Sequence, residues 1–165
     1  MNFLSVEEEL LYHKINEPLF EAKDGHRTAS AFVVNPEGDK VLMIYHLKYD
    51  SWGWMGGHVQ EGESFLQASM RELNEESGLS IRSPLSEMPI LVGKMRAFDH
   101  YHYDCAFVFV ASEDDALIEN KKETKGIAWL EVSKLDEMVG EKHMLIIYHK
   151  ILERIYKSGL LRTNR

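Results

Sequence analysis

Residues 57–79 read GHVQEGESFLQASMRELNEESGL, a glycine-led loop followed by a well-punctuated helix. Ser64 and Gln67 have the spacing of a capping box, and Gly78 stands where a left-handed residue ends a helix. A helix is therefore expected over Ser64–Ser77. Glu72, Glu75 and Glu76 fall at i, i+3 and i+4, so three carboxylates share one face. Leu66, Met70 and Leu73 lie about 100° or more around the helix, on the face expected to be buried. Each like-charged i,i+4 pair destabilises a helix by roughly 0.2–0.5 kcal/mol, a cost that a bound cation removes. Crowded carboxylate oxygens suit Mg²⁺ or Mn²⁺ and not zinc, whose sites favour His and Cys. Three glutamates alone also fit a plain solvated acidic face.

The wider spacing narrows the choice. Glu63 follows Gly57 after five residues, Arg71-Glu72-Leu73 after seven more, then Glu75-Glu76 and Gly78-Leu79 after one residue each. A match at all these positions in one window is a chance event on the order of 10⁻⁹. The segment resembles the Nudix box, and by it the chain is similar to the Nudix hydrolase family. The resemblance implies an α+β fold, an α/β/α sandwich around a mixed β-sheet. It implies divalent ions held by Glu72, Glu75 and Glu76, with the carbonyl of Gly57 completing the shell. Glu63 and Arg71 are implied as a bracing ion pair, with Gly78 as a structural stop. The implied reaction is attack of water on phosphorus, cleaving a phosphoanhydride in a nucleoside diphosphate linked to another moiety. Glu72 and Glu123, the latter in a loop before a strand, are the two candidates for the base.

Outward from the box the chain alternates strands and helices. Residues 3–15 suit a short amphipathic helix. Thr28–Val34, the turn Asn35-Pro36-Glu37-Gly38 and Lys40–His46 suit a hairpin. Trp52–Gly57 reads as loop or short strand. Ile90–Ala97, Tyr103–Ala111 and Gly126–Glu131 read as strands and Ser133–Val139 as a brief helix. Glu141–Lys157 reads as a last helix, with Leu145, Tyr148, Leu152 and Ile155 on one apolar face.

A second polar group precedes Cys105. His100, His102 and Asp104 alternate with Tyr101 and Tyr103, so in a strand they share one face. They suit a cleft that donates hydrogen bonds to phosphate or sugar, a transition-metal site, or an exposed edge strand. Similar His-x-His-Tyr-Asp runs in some Nudix members point to the cleft. His58 is placed to reach a phosphate, and Trp54, with Trp52 and Tyr49, to stack on a ring or anchor the loop. The histidines at 13, 143 and 149 read as surface or packing residues.

Composition bounds the rest. At 165 residues the chain suits one domain, with a core over about 25–158 and an N-terminal extension over 1–24. A net charge of −8 argues against a grip on long nucleic acid, RNA caps included, and favours a small phosphorylated molecule met through a cation. The single cysteine, Cys105, excludes an intrachain disulfide. No leader pattern or spanning run is visible, so a cytoplasmic protein without membrane contact is expected, and a homodimer is compatible. Residues 94 and 95 are Lys and Met, where the family's ADP-ribose and dinucleoside polyphosphate enzymes tend to carry Pro and Tyr. Met55 replaces a frequent proline. Two alternatives remain: a catalytically weak nucleotide-binding sensor, and a relative of isopentenyl-diphosphate isomerase. The second needs a reactive cysteine in the cleft, whereas Cys105 alternates away from the His/Asp face.

Overall fold

A computed structural model describes residues 2–122 and 124–161. The elements are α1 (Val6–Ile15), β1 (Gly25–Val34), β2 (Lys40–His46), β3 (Ser51–Gly53), β4 (Met55–His58), α2 (Phe65–Ser77), β5 (Leu91–Ala97), β6 (His100–Val110), β7 (Thr124–Glu131), α3 (Leu135–Met138) and α4 (Lys142–Ser158). The seven strands form one mixed sheet in the order β3-β2-β1-β6-β5, with β4 on β1 and β7 on β2.

β1 is the hub. One edge runs parallel to β6 through ten consecutive pairs, from Gly25↔Tyr101 to Val34↔Val110. The other edge pairs with β2 only at Val33↔Leu42 and Val34↔Val41. Towards its N-terminal end β1 instead takes β4, at Thr28↔His58 through Ala31↔Met55, while β2 takes β7 and β3. The expected hairpin is thus a fork, joined at its base and open at its tip.

Alternation sorts the side chains of β1 into two cores. Ala29, Ala31 and Val33 pack with Phe65, Ala68 and Leu73 of α2, and with Ile15 of α1. Phe32 and Val34 pack with Met144, Tyr148, Ile151, Leu152 and Ile155 of α4. A helix layer on each face of the sheet makes the α/β/α sandwich. On α4 the apolar stripe uses Met144 and Ile151 in full, while Leu145 is half-buried. On α2 Leu73 is buried as expected, Leu66 and Met70 are half-buried, and Phe65 and Ala68 join Leu73 in the core. The brief helix before α4 splits into a 3₁₀ turn, Val132–Lys134, and α3.

α1 is tied to the sandwich by charge. Glu8 makes paired bonds with Arg154 of α4, at 2.8 and 2.7 Å, and accepts the Val92 N–H. Burial pushes the Glu8 carboxyl up, but Arg154 and the N–H donors outweigh it and hold the carboxyl at about 2.

Candidate active site

Helix α2 is held at three points. Ser64 and Gln67 exchange bonds at 2.9 and 3.0 Å across its first turn, and Gly78 ends it at φ 78°. Midway, the Ser69 hydroxyl donates to the Ser30 carbonyl at 2.9 Å, fixing the helix against β1. The glutamates that follow then have defined places.

Glu76 is 3% exposed, and its Oε1 accepts the Gly56 N–H at 2.9 Å. Glu72 is half-buried with its carboxyl in hydrogen-bonding reach of Glu76. Burial pushes Glu72 above the usual carboxylate range; Arg71 opposes this and the charge of Glu75 adds to it. Glu75 is exposed at the rim and leans to Arg71 Nη1 at 3.3 Å. Arg71 is the brace. It donates to both oxygens of Glu63 at 2.7 and 3.0 Å, to Glu72 Oε1 at 2.9 Å and to the His58 carbonyl at 3.0 Å.

The expectation for the Gly57 carbonyl needs correcting. The Val59 N–H donates to the Arg27 carbonyl, and hydrogen-bonded pairs alternate along an antiparallel ladder. In that register the peptide groups of Gly57 face Ala29 of β1, and those of Gly56 face the carboxylates. Gly57 matters for a different reason: a Cβ there would run into the Glu72 carboxylate, 2.6 Å from its carboxyl carbon. Among the described residues no three His, Cys, Asp or Glu side chains are gathered as a complete metal centre. Glu72 and Glu76, beside the Gly56 peptide, are the residues that could hold part of one. Glu123 lies outside the described residues.

From the carboxylates a cleft of about 930 Å³ runs across Ser30 to the far half of β1 and β6. Four imidazoles converge there: His26 of β1, His58 of β4, and His100 and His102 of β6. His26 and His58 have ring centres 4.3 Å apart, His26 and His100 5.1 Å, and His100 and His102 5.0 Å with Nε2 atoms at 3.2 Å. Burial, with the charges of the other histidines, lowers His58 and holds His102 down at about 4. Of the alternatives for His100, His102 and Asp104, the exposed edge strand is not met: β6 lies between β1 and β5, and the three residues line the cleft. Asp104 is 2% exposed, and its Oδ1 accepts the hydroxyls of Thr28 at 2.7 Å and Ser30 at 2.8 Å. Burial pushes its carboxyl up to about 7.

The walls are aromatic. Trp54 lines the cleft, its carbonyl 2.7 Å from His46 Nε2 and its N–H donating to the buried Tyr148 hydroxyl at 3.2 Å. At the rim Tyr49 stacks on Phe98 with ring centres 5.3 Å apart, Phe98 taking the left-handed φ of 57°. Lys48 Nζ lies 5.4 Å from the Phe98 ring. His143, expected to be inert, also borders the cleft.

Sequence reading missed His26, Thr28, Ser30 and Tyr148. The signal for the first three was present: polar residues at alternate positions of a strand that turns apolar at Phe32 and Val34. For Tyr148 it was the phenol within an apolar helix stripe, since a buried hydroxyl needs a partner. Cys105 sits in the opposite core beside α2, where burial pushes its thiol well up.

An α/β/α sandwich with two adjacent helical carboxylates, Glu72 and Glu76, beside a cleft of nucleotide size is the arrangement the box led one to expect. The chain belongs to the NUDIX family, whose model, described as the NUDIX domain, matches residues 24–150. An RNA pyrophosphohydrolase from Ruthia magnifica subsp. Calyptogena magnifica is 44% identical over 57 residues. That match takes in 34% of this chain and 32% of the relative's length. Two solved structures share the fold. A NUDIX-family hydrolase from Clostridium perfringens has a TM-score of 0.64 at 23% identity, over 79% of this chain and 97% of that one. The NUDIX domain of Shewanella oneidensis NrtR, solved with ADP ribose, has a TM-score of 0.69 at 18% identity, over 92% and 99%.

Proposed function

We propose that this chain is a divalent-cation-dependent pyrophosphohydrolase. It cleaves a phosphoanhydride bond in a nucleoside diphosphate linked to another moiety, by attack of water on phosphorus. The observation that carries the reading is the adjacency of Glu72 and Glu76 under the Gly56 peptide, at the mouth of the cleft. The donor set fits Mg²⁺ or Mn²⁺: two hard carboxylates and a backbone oxygen, with Glu75 able to turn in from the rim. Mg²⁺ is usually held by one or two carboxylates together with substrate phosphates, which suits a cluster that is incomplete by itself. When bound, the ion supplies positive charge against the phosphate oxygens and acidifies water.

The chain's own residues do the rest. Glu72, raised by burial and hemmed in by Glu76, takes the proton of the attacking water. Arg71 holds Glu63 and Glu72, so loop and helix keep their separation. His58, His100 and His102, joined by His26, offer hydrogen bonds to phosphate or sugar, and Trp54 offers a ring face. A cytoplasmic location and small-molecule partners belong to this reading, supported by a lone buried Cys105 and the net charge of −8. Among the described residues no helix is long and apolar enough to cross a membrane.

Incubation with Mg²⁺ and a panel of ADP-ribose, nucleotide sugars, dinucleoside polyphosphates and oxidised nucleoside triphosphates tests it, reading phosphate after added phosphatase. Turnover of at least one class, abolished by EDTA and restored by Mg²⁺, is the expected result. No turnover of any member would leave a nucleotide-binding module and end the hydrolase reading.

A further inference from the structure

Asp104 carries a feature that phosphate chemistry does not use. Its Oδ1 is saturated by two hydroxyl donors, while Oδ2 is buried and has no partner among the described residues. A buried carboxyl oxygen without a donor is rare in a folded protein and calls for a reason. Asp104 borders the cleft, as do Trp54, Tyr148 and His102. Its cross-strand neighbour is Gly93, which carries no side chain. The nearest atom to a Cβ at Gly93 would be Met95 Cε, 3.4 Å away, so a pliable thioether covers this flank of the floor. A carboxyl oxygen with an open lone pair accepts from N–H, and the flat walls beside it suit a planar ring.

We infer that Asp104 Oδ2 reads the non-phosphate half of the substrate, accepting a hydrogen bond from the exocyclic amino group of a nucleobase. The inference rests on the nucleoside diphosphate reading above and deepens it. The cleft then has two ends: carboxylates of α2 for the diphosphate, and the Asp104 floor for an amino-bearing base, with Ser30 between them. In the competing role Asp104 is only a strut, joining β6 to Thr28 and Ser30.

Nucleoside monophosphates in matched pairs separate the two roles. AMP and IMP, and CMP and UMP, differ in an amino group against a carbonyl at the same ring position. Calorimetric titration in Mg²⁺ buffer is expected to show the amino member of at least one pair binding about tenfold tighter, the worth of one good hydrogen bond. Asp104→Asn is isosteric. Its Oδ1 goes on accepting the two hydroxyls, and an N–H donor takes the place of Oδ2. The preference is therefore expected to vanish or reverse. Ratios within about twofold in both pairs, an unchanged ratio in Asp104→Asn, or no nucleotide binding at all would each overturn the inference. If the variant fails to fold, the ratio in the unaltered protein decides alone. Because monophosphates are bound and not cleaved, an amino preference without any diphosphate turnover would sink the hydrolase reading and leave this one standing.

Discussion

The two ends of the cleft are built by opposite means. The carboxylate end comes from 23 consecutive residues, and its charges are held apart by one arginine bonded to Glu63, Glu72 and Glu75. The histidine end comes from β1, β4 and β6, and holds four imidazoles and the Asp104 carboxyl; burial disfavours the charged forms of His58, His102 and Asp104. One end is anionic and, in the proposed function, takes a cation. The other presents hydrogen-bond partners, with His58, His102 and Asp104 biased to their neutral forms. That reading assigns chemistry to the first end and recognition to the second.

The largest expected effect tests that division. Glu76→Gln and Glu72→Gln are expected to lower kcat by roughly 100-fold or more, since each removes a charge that a divalent ion needs. The same variants keep or raise Tm in metal-free buffer, because a crowded, half-buried pair of like charges is relieved. His100→Asn and His102→Asn are expected to raise KM by about tenfold with kcat within a fewfold, as loss of uniform binding does. Steady-state kinetics beside thermal melts read both. If the histidine variants lose as much kcat as the glutamate variants, the two ends do not divide the labour.

What the sequence disclosed follows the same line. The box, its capping pair Ser64 and Gln67 and its Gly78 stop were legible because every constraint is local, within one helix and its loop. The Gly57 carbonyl was misplaced because which peptide faces the helix depends on strand register, and one residue reverses it. The fork of β1 between β2 and β4 was read as a plain hairpin, since adjacency in sequence says nothing about where two strands part. His26 joined the other histidines only through a parallel pairing that sets it beside residue 102, 76 positions away. No local pattern reports a contact of that kind.

A middle-sized effect concerns the brace. Arg71 is largely buried and serves three carboxylates, so Arg71→Ala leaves Glu63, Glu72 and Glu75 unpaired. Loss of a buried partner costs about 3–5 kcal/mol, and partial solvent access reduces that here to about 2 kcal/mol. Mg²⁺ is expected to return part of the lost Tm in Arg71→Ala and to shift the unaltered protein less, because the ion replaces a cation that only the variant lacks. Equal shifts in both would mean that Arg71 neutralises nothing the metal meets.

The smallest effect is the sharpest test of the neutral end. Asp104 is raised from 3.8 to about 7, so its stabilising protonated form is fully present below pH 4 and lost as pH rises through 7. His102 is lowered from 6.5 to about 4, so its stabilising neutral form is present above pH 6.5 and lost as pH falls through 4. Over the same window the two contributions slope in opposite directions and largely cancel. Removing one exposes the other. Relative to the unaltered protein, Asp104→Asn is expected to gain stability as pH rises from 4 to 7, and His102→Gln to lose it, each by a few degrees in Tm. Melting curves at half-unit pH steps in low-salt buffer read the slopes. Parallel slopes in the two variants would show that these two groups titrate in the folded protein much as they do in the unfolded chain.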